Sequence, residues 1–131
     1  MSQNIKVTEL ESVVMDALEK YKEEAENVIG EVLDPIGMDS AIELQQTSPK
    51  RTGAYAKSWT FGMYQSRGSK KKNKLIVFNR KHYRLVHLLE KGHAKRNGGR
   101  VEGIPHVEPV RKKAEKEAIN QIKAKLEDLG V

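Results

Sequence analysis

Apolar residues return at every third or fourth position through the first third of the chain. Val7, Leu10, Val13, Val14, Leu18, Tyr21, Ala25, Val28, Ile29 and Val32 share one face at the helical period, and acids dominate the outer face. Thr8 followed by Glu11 is a capping-box pattern for the start of this helix. Pro35, within Asp34-Pro35-Ile36-Gly37, predicts an end or a kink, because proline has no N–H to donate and crowds the preceding turn. Beyond it lies either a second, shorter helix over about 39–46 or the continuation of one kinked rod, and Ser48-Pro49 makes the next break.

From Ala54 the period shortens to two. Tyr55, Lys57, Trp59, Phe61 and Met63 alternate with Ala56, Ser58, Thr60, Gly62 and Tyr64, which predicts a strand with one side against the core. Leu75-Ile76-Val77-Phe78 predicts a second, short strand. Residues 66–74 between them hold nothing apolar and read as a mobile hairpin loop with five positive charges. Tyr83 to Lys91 predicts a short helix with Leu85, Val86, Leu88 and Leu89 inward and Gly92 at its C-cap. A second basic, glycine-rich loop spans 93–100, and Pro105 and Pro109 bracket an extended linker. Pro109 suits the first turn of a final helix, which carries Val110, Ala114, Ala118, Ile122, Leu126 and Leu129 along one stripe. There is no internal repeat and no heptad seam of coiled-coil length. The predicted fold is α+β, a small antiparallel sheet packed by a long N-terminal helix and a C-terminal helix, with two basic mobile loops.

At 131 residues the chain has room for one domain, 1–131. It divides into an acidic helical segment (1–47), a basic sheet-and-loop segment (48–109) and a C-terminal helix (110–131). Apolar residues make up 37% and charged residues 32%, so the core is lean. The absence of cysteine excludes a disulfide scaffold, a thiolate metal site and a thiol nucleophile. No apolar run is long enough to span a bilayer, and the N-terminus lacks a signal-peptide core, so a soluble protein of a reducing compartment is expected. The net charge of +6 conceals a strong segregation. Residues 1–48 carry eleven acids against three lysines, residues 49–100 carry fifteen cations against the single acid Glu90, and the remainder is balanced. One-signed fields repel themselves, so each needs a partner. A phosphate backbone on the basic half and the acidic face of another copy are equally compatible with the composition.

The four histidines make no ligand set. His82, His87 and His93 are five and six residues apart, spacings that do not stack two ligands on one helix face, and His106 sits between prolines. There is no nucleophile elbow, no Walker lysine and no dinucleotide fingerprint. The prediction is therefore a protein that is not an enzyme, with no catalytic residues, cofactor, metal or small-molecule substrate, and no membrane association. A rival reading is a non-specific nucleic-acid-binding module or a small toxin-like ribonuclease using His82, His87, Arg80 and Arg84. The basic residues that would face DNA or a protein neighbour are Arg51, Arg67, Lys70, Lys71, Lys72, Lys74, Lys95, Arg96 and Arg100. Few aromatics interleave them, so any nucleic-acid contact would be with backbone. Trp59, the sole tryptophan, reads as a core anchor, with an interface anchor as the alternative.

Three ordered motifs carry a family resemblance. Ser48-Pro49-Lys50-Arg51-Thr52-Gly53, then Tyr55 and Ser58-Trp59, resembles a junction motif of the small head–tail joining, or tail-completion, proteins of long-tailed bacteriophages and prophages. Tyr83-Arg84-Leu85-Val86-His87-Leu88-Leu89-Glu90 with Gly92-His93-Ala94 is similar to that family's second motif. Arg96-Asn97-Gly98-Gly99-Arg100-Val101 with Pro105-His106 and Pro109 is similar to its third. The family's N-terminal helix usually runs unbroken into Ser-Pro, and Pro35 departs from that pattern. The resemblance implies a virion structural protein of the neck, made in the bacterial host cytoplasm. It would assemble with copies of itself as a ring, contact connector and tail proteins, and couple the DNA-filled capsid to the tail. Non-specific contact with duplex DNA in the channel is a further expectation. Ser48, Pro49, Thr52, Gly53, Trp59, Gly92 and Pro105 are its structural motif residues. Their chemistry agrees: the residue before a proline avoids the α region, and Gly53 permits a turn with positive φ.

Overall fold

The computed structural model describes residues 7–129. Helix α1 runs from Val7 to Thr47 and passes through Pro35 without ending. A short helical turn, α2 (Ala54–Lys57), leads into the antiparallel hairpin of β1 (Trp59–Gln65) and β2 (Lys72–Asn79). A 3-10 turn over Tyr83–Leu85 precedes α3 (Val86–Lys91), and a second small hairpin pairs β3 (Gly92–Ala94) with β4 (Arg100–Glu102). Helix α4 (Val107–Asp128) closes the chain. The architecture is α+β, with two separate two-stranded sheets. The capping pattern at Thr8 lies outside the described side chains.

Pro35 does not break α1 because tertiary burial outweighs its local cost. Proline removes the bond to the Glu31 carbonyl, a penalty of about 3 kcal/mol in a helix interior. Pro35 itself is exposed, whereas Val32, Ile36, Ala41 and Leu44 around it are buried. Four such side chains contribute more than the proline costs, at about 1.5–3 kcal/mol for each of the larger ones. A single rod therefore replaces the two helices that the proline made possible.

The strand expected from Ala54 begins only at Trp59. Gly53 adopts φ 83°, the positive value its position demanded, and turns the chain into α2. Tyr55 and Ala56 are both buried, which consecutive residues of a half-exposed strand could not be. One helical turn instead puts Tyr55 and Trp59 on the same side, with ring centroids 5.8 Å apart and edge-to-face.

The inner face of the β1–β2 sheet packs on α1. A methyl group at Gly37 would lie 2.5 Å from Leu75 Cδ1 and 2.6 Å from Phe61 Cδ2, so helix and sheet touch through the missing side chain. Leu44, Tyr55, Trp59 and Val110 form the core cluster, with Val77, Val86, Leu89 and Val107 packed around it. Helix α4 lies antiparallel to α1, as the pairs Lys113–Glu43 (3.5 Å) and Lys125–Glu31 (3.8 Å) show. The stripe expected on α4 faces this contact: Val110 is buried and Ala114, Ala118, Ile122 and Leu126 are half-buried, while Leu129 is exposed.

The N-terminal half of the α1 stripe is uncovered. Leu10, Val13, Val14, Leu18 and Tyr21 are all exposed, and burial begins only in the later turns. The accessible surface is 10137 Å², against about 7,000 Å² for a compact monomer of this mass. This chain is far from self-covering.

Candidate functional site

The motif residues converge on one buried lock. Ser48 ends α1, its hydroxyl donating to the Leu44 carbonyl and accepting from Trp59 Nε1 at 2.7 Å. Trp59 packs edge-to-face against His106, as does Tyr55. His106 is fully buried between Tyr55 Oη (2.8 Å from Nε2) and the Ile104 carbonyl (2.6 Å from Nδ1). Nδ1 also lies 3.0 Å from Glu90 Oε1, so this nitrogen is the donor toward both oxygens. Burial, then the nearby Glu90 carboxylate, push the Tyr55 hydroxyl up to about 12, so it stays protonated at neutral pH.

Glu90 completes the lock. Its Oε1 accepts from the His106 and Val107 backbone N–H groups at 2.8 Å each, and Oε2 accepts from Glu108 N–H at 3.0 Å. These are the free donors at the start of α4, whose own N-cap residue supplies no side-chain bond. Burial alone would raise the Glu90 carboxyl, but the three backbone bonds and neighbouring His106 outweigh it and hold it below the usual carboxylate range. Tyr55, Glu90 and His106 come one from each motif. Together they join α2, α3 and the start of α4. A lone acid within a strongly basic block was the available signal for Glu90: so isolated a carboxylate is kept for a particular donor set.

The basic residues divide among separate surfaces. Arg67, Lys70 and Lys71 sit at the β1–β2 tip, which bends onto α1 instead of projecting freely: Lys71 pairs with Glu23 (3.7 Å), Ser69 Oγ donates to Glu26 (2.8 Å) and Lys22 donates to the Gly68 carbonyl (3.4 Å). Asn73 Oδ1 accepts from Ser66 N–H and Oγ, closing the turn. Part of the acidic-to-basic pairing anticipated between copies is thus made within one chain. Lys72 and Lys74 are on β2. Lys95, Arg96 and Arg100 belong to the β3–β4 hairpin, which is fixed by Gly92 at φ 81° and by Arg100 donating to the Lys91 carbonyl (2.6 Å). That hairpin is rooted beside Glu90 and the start of α4, away from the β1–β2 tip. The two basic loops therefore do not share the two strands of one sheet. Arg51 is exposed in the turn before α2, and Pro105 is exposed before α4.

A third basic group was not assembled from the sequence, where Arg80 figured only in the ribonuclease reading. Lys57, Arg80 and Lys81 line a shallow cleft with Thr52, Ser58 and Thr60, and no ion pair involves these three cations among the described residues. Its members are distant in sequence and meet because Arg80 N–H bonds to the Ser58 carbonyl at 2.8 Å. His82 is held near this turn, its N–H on Asn79 Oδ1 at 2.9 Å, and His87 lies on α3. Neither is in contact with a carboxylate among the described residues. No helix among the described residues is long and apolar enough to cross a membrane.

In this α+β body the sequence motifs build one buried lock between α2, α3 and α4, and the charged surfaces face outward. Comparison with known families places it: the chain belongs to the HK97-gp10-like family, the bacteriophage HK97-gp10 tail-component proteins, whose model matches residues 12–92. No curated protein and no solved structure matches the chain.

Proposed function

We propose that this phage tail-component protein is a neck subunit, assembling as a ring that couples the DNA-filled capsid to the tail. The observation that carries the reading is the excess of uncovered surface on a chain of this family. An accessible area of 10137 Å² with an uncovered apolar helix is suited to a subunit completed by its neighbours. Function in this reading is assembly, without turnover. The exposed cations Lys95, Arg96 and Arg100 of the β3–β4 hairpin, with Arg67 and Lys70 at the β1–β2 tip, contact connector and tail proteins or the DNA backbone in the channel. The test is immunogold labelling of intact particles with an antibody to this chain. Label at the junction of head and tail is expected, and label confined to the tail tip or to the head would overturn the assignment.

A further inference from the structure

The chain leaves two apolar surfaces uncovered, and they are complementary. The first is the N-terminal arm of α1. Leu10, Val14, Leu18 and Tyr21 are 40–57% exposed and prolong the stripe that turns inward farther along at Val28, Val32 and Ile36. The antiparallel register set by Lys125–Glu31 makes α4 run out near residue 27, so α4 does not cover the arm, and the β1–β2 tip touches only its inner end, at Lys22 and Glu23. Over residues 10–24 the arm carries Glu11, Asp16, Glu19, Glu23 and Glu24 against Lys20 and Lys22, a net negative charge.

The second surface is the outer face of the β1–β2 sheet. Phe61 and Leu75 point to α1 at Gly37, so by alternation Thr60, Gly62 and Tyr64 of β1 and Lys74, Ile76 and Phe78 of β2 look the other way. Tyr64 lies over Gly62, where an added methyl would meet its hydroxyl at 2.6 Å and its ring at 2.7 Å, and Tyr64 and Ile76 are 44% and 40% exposed. Lys72, Lys74 and Arg80 border this apolar centre, and neither strand contains an acid.

We infer that the acidic arm of one copy lies across the outer sheet face of the next copy. This rests on the ring reading above and specifies its contact. Arm against arm would oppose acid to acid, and sheet against sheet would oppose lysine to lysine. A copy's own arm cannot reach its outer sheet face, because α1 is one continuous helix packed on the inner face. The two surfaces differ, so the contact is head-to-tail: each copy gives an arm and receives one, which closes into a ring when the rotation allows. A standard contact buries about 800 Å² per partner. Two per copy would remove about 1,600 Å², well within the excess of about 3,000 Å² over a compact monomer.

The test uses two single substitutions at exposed positions, Leu18→Asp on the arm and Ile76→Lys on the sheet, with native mass spectrometry and sedimentation as readouts and circular dichroism to confirm folding. The wild-type chain is expected to self-associate, and each variant alone to do so at least tenfold more weakly. Mixed, the two variants should form a one-to-one dimer that does not grow, because one intact arm meets one intact sheet face. A mixture that stays monomeric, or variants that assemble like wild type, would overturn the pairing. If the wild type closes into a ring that neither substitution affects, the pairing fails while the ring reading stands. If the wild type forms no closed oligomer in solution and particles show no ring of this chain, both fail.

Discussion

A single carboxylate, Glu90, satisfies three backbone donors at the start of α4 and faces the buried His106. Replacing it with alanine leaves those donors unpaired at a half-buried helix end, an expected loss of about 1–2 kcal/mol in urea unfolding at neutral pH. The pH dependence has a definite sign. Because the folded carboxyl lies below its ordinary value of 4.5, its contribution is complete above that value and disappears as pH falls through the folded pKa. Wild-type stability should therefore drop below about pH 4.5, and Glu90→Gln should flatten that part of the drop. An unchanged acid limb in the variant would show that Glu90 does not hold α4. At this scale the sequence showed Trp59 as a core anchor and Gly53 as a turn with positive φ. It did not show the lock, because Tyr55, Glu90 and His106 are brought together only by tertiary contacts between segments 16 to 51 residues apart.

Among the elements, α1 illustrates how packing overrides local rules. Pro35 is an exposed interior proline, so Pro35→Ala should raise the midpoint of thermal unfolding, with a gain of up to about 3 kcal/mol. Gly37→Ala should do the opposite. A glycine-to-alanine change in a helix ordinarily stabilises by about 1 kcal/mol, but here the new methyl would collide with Leu75 and Phe61 and cost about 1–3 kcal/mol. A stabilised Gly37→Ala variant would contradict this helix–sheet packing. The hydrophobic period identified the helical stripe of α1, α3 and α4, and it found the second strand over 75–78, three residues short of the start of β2 at Lys72, because Lys72 to Lys74 carry no apolar residue. It placed α2 in a strand because Tyr55 and Trp59 fit alternation as well as one helical turn. The β3–β4 pairing escaped notice because its three-residue strands are polar and glycine-rich, with no pattern to read.

Across the whole molecule, charge and apolar surface tell one story. The acidic half is a helix whose first turns lie beyond the body, and the basic half is built around two hairpins that carry most of its cations outward. Segregation was plain in the sequence, and so was the family resemblance that the match over residues 12–92 establishes. Which surfaces stay open was not legible, since the N-terminal stripe has the same period whether or not α4 reaches it. In the proposal above, such a chain is completed by its neighbours in the neck of the particle. The most direct measurement is electron microscopy of particles from a host in which this one chain is not made. A neck subunit predicts filled heads beside complete but unattached tails. Normally joined, infectious particles would contradict it.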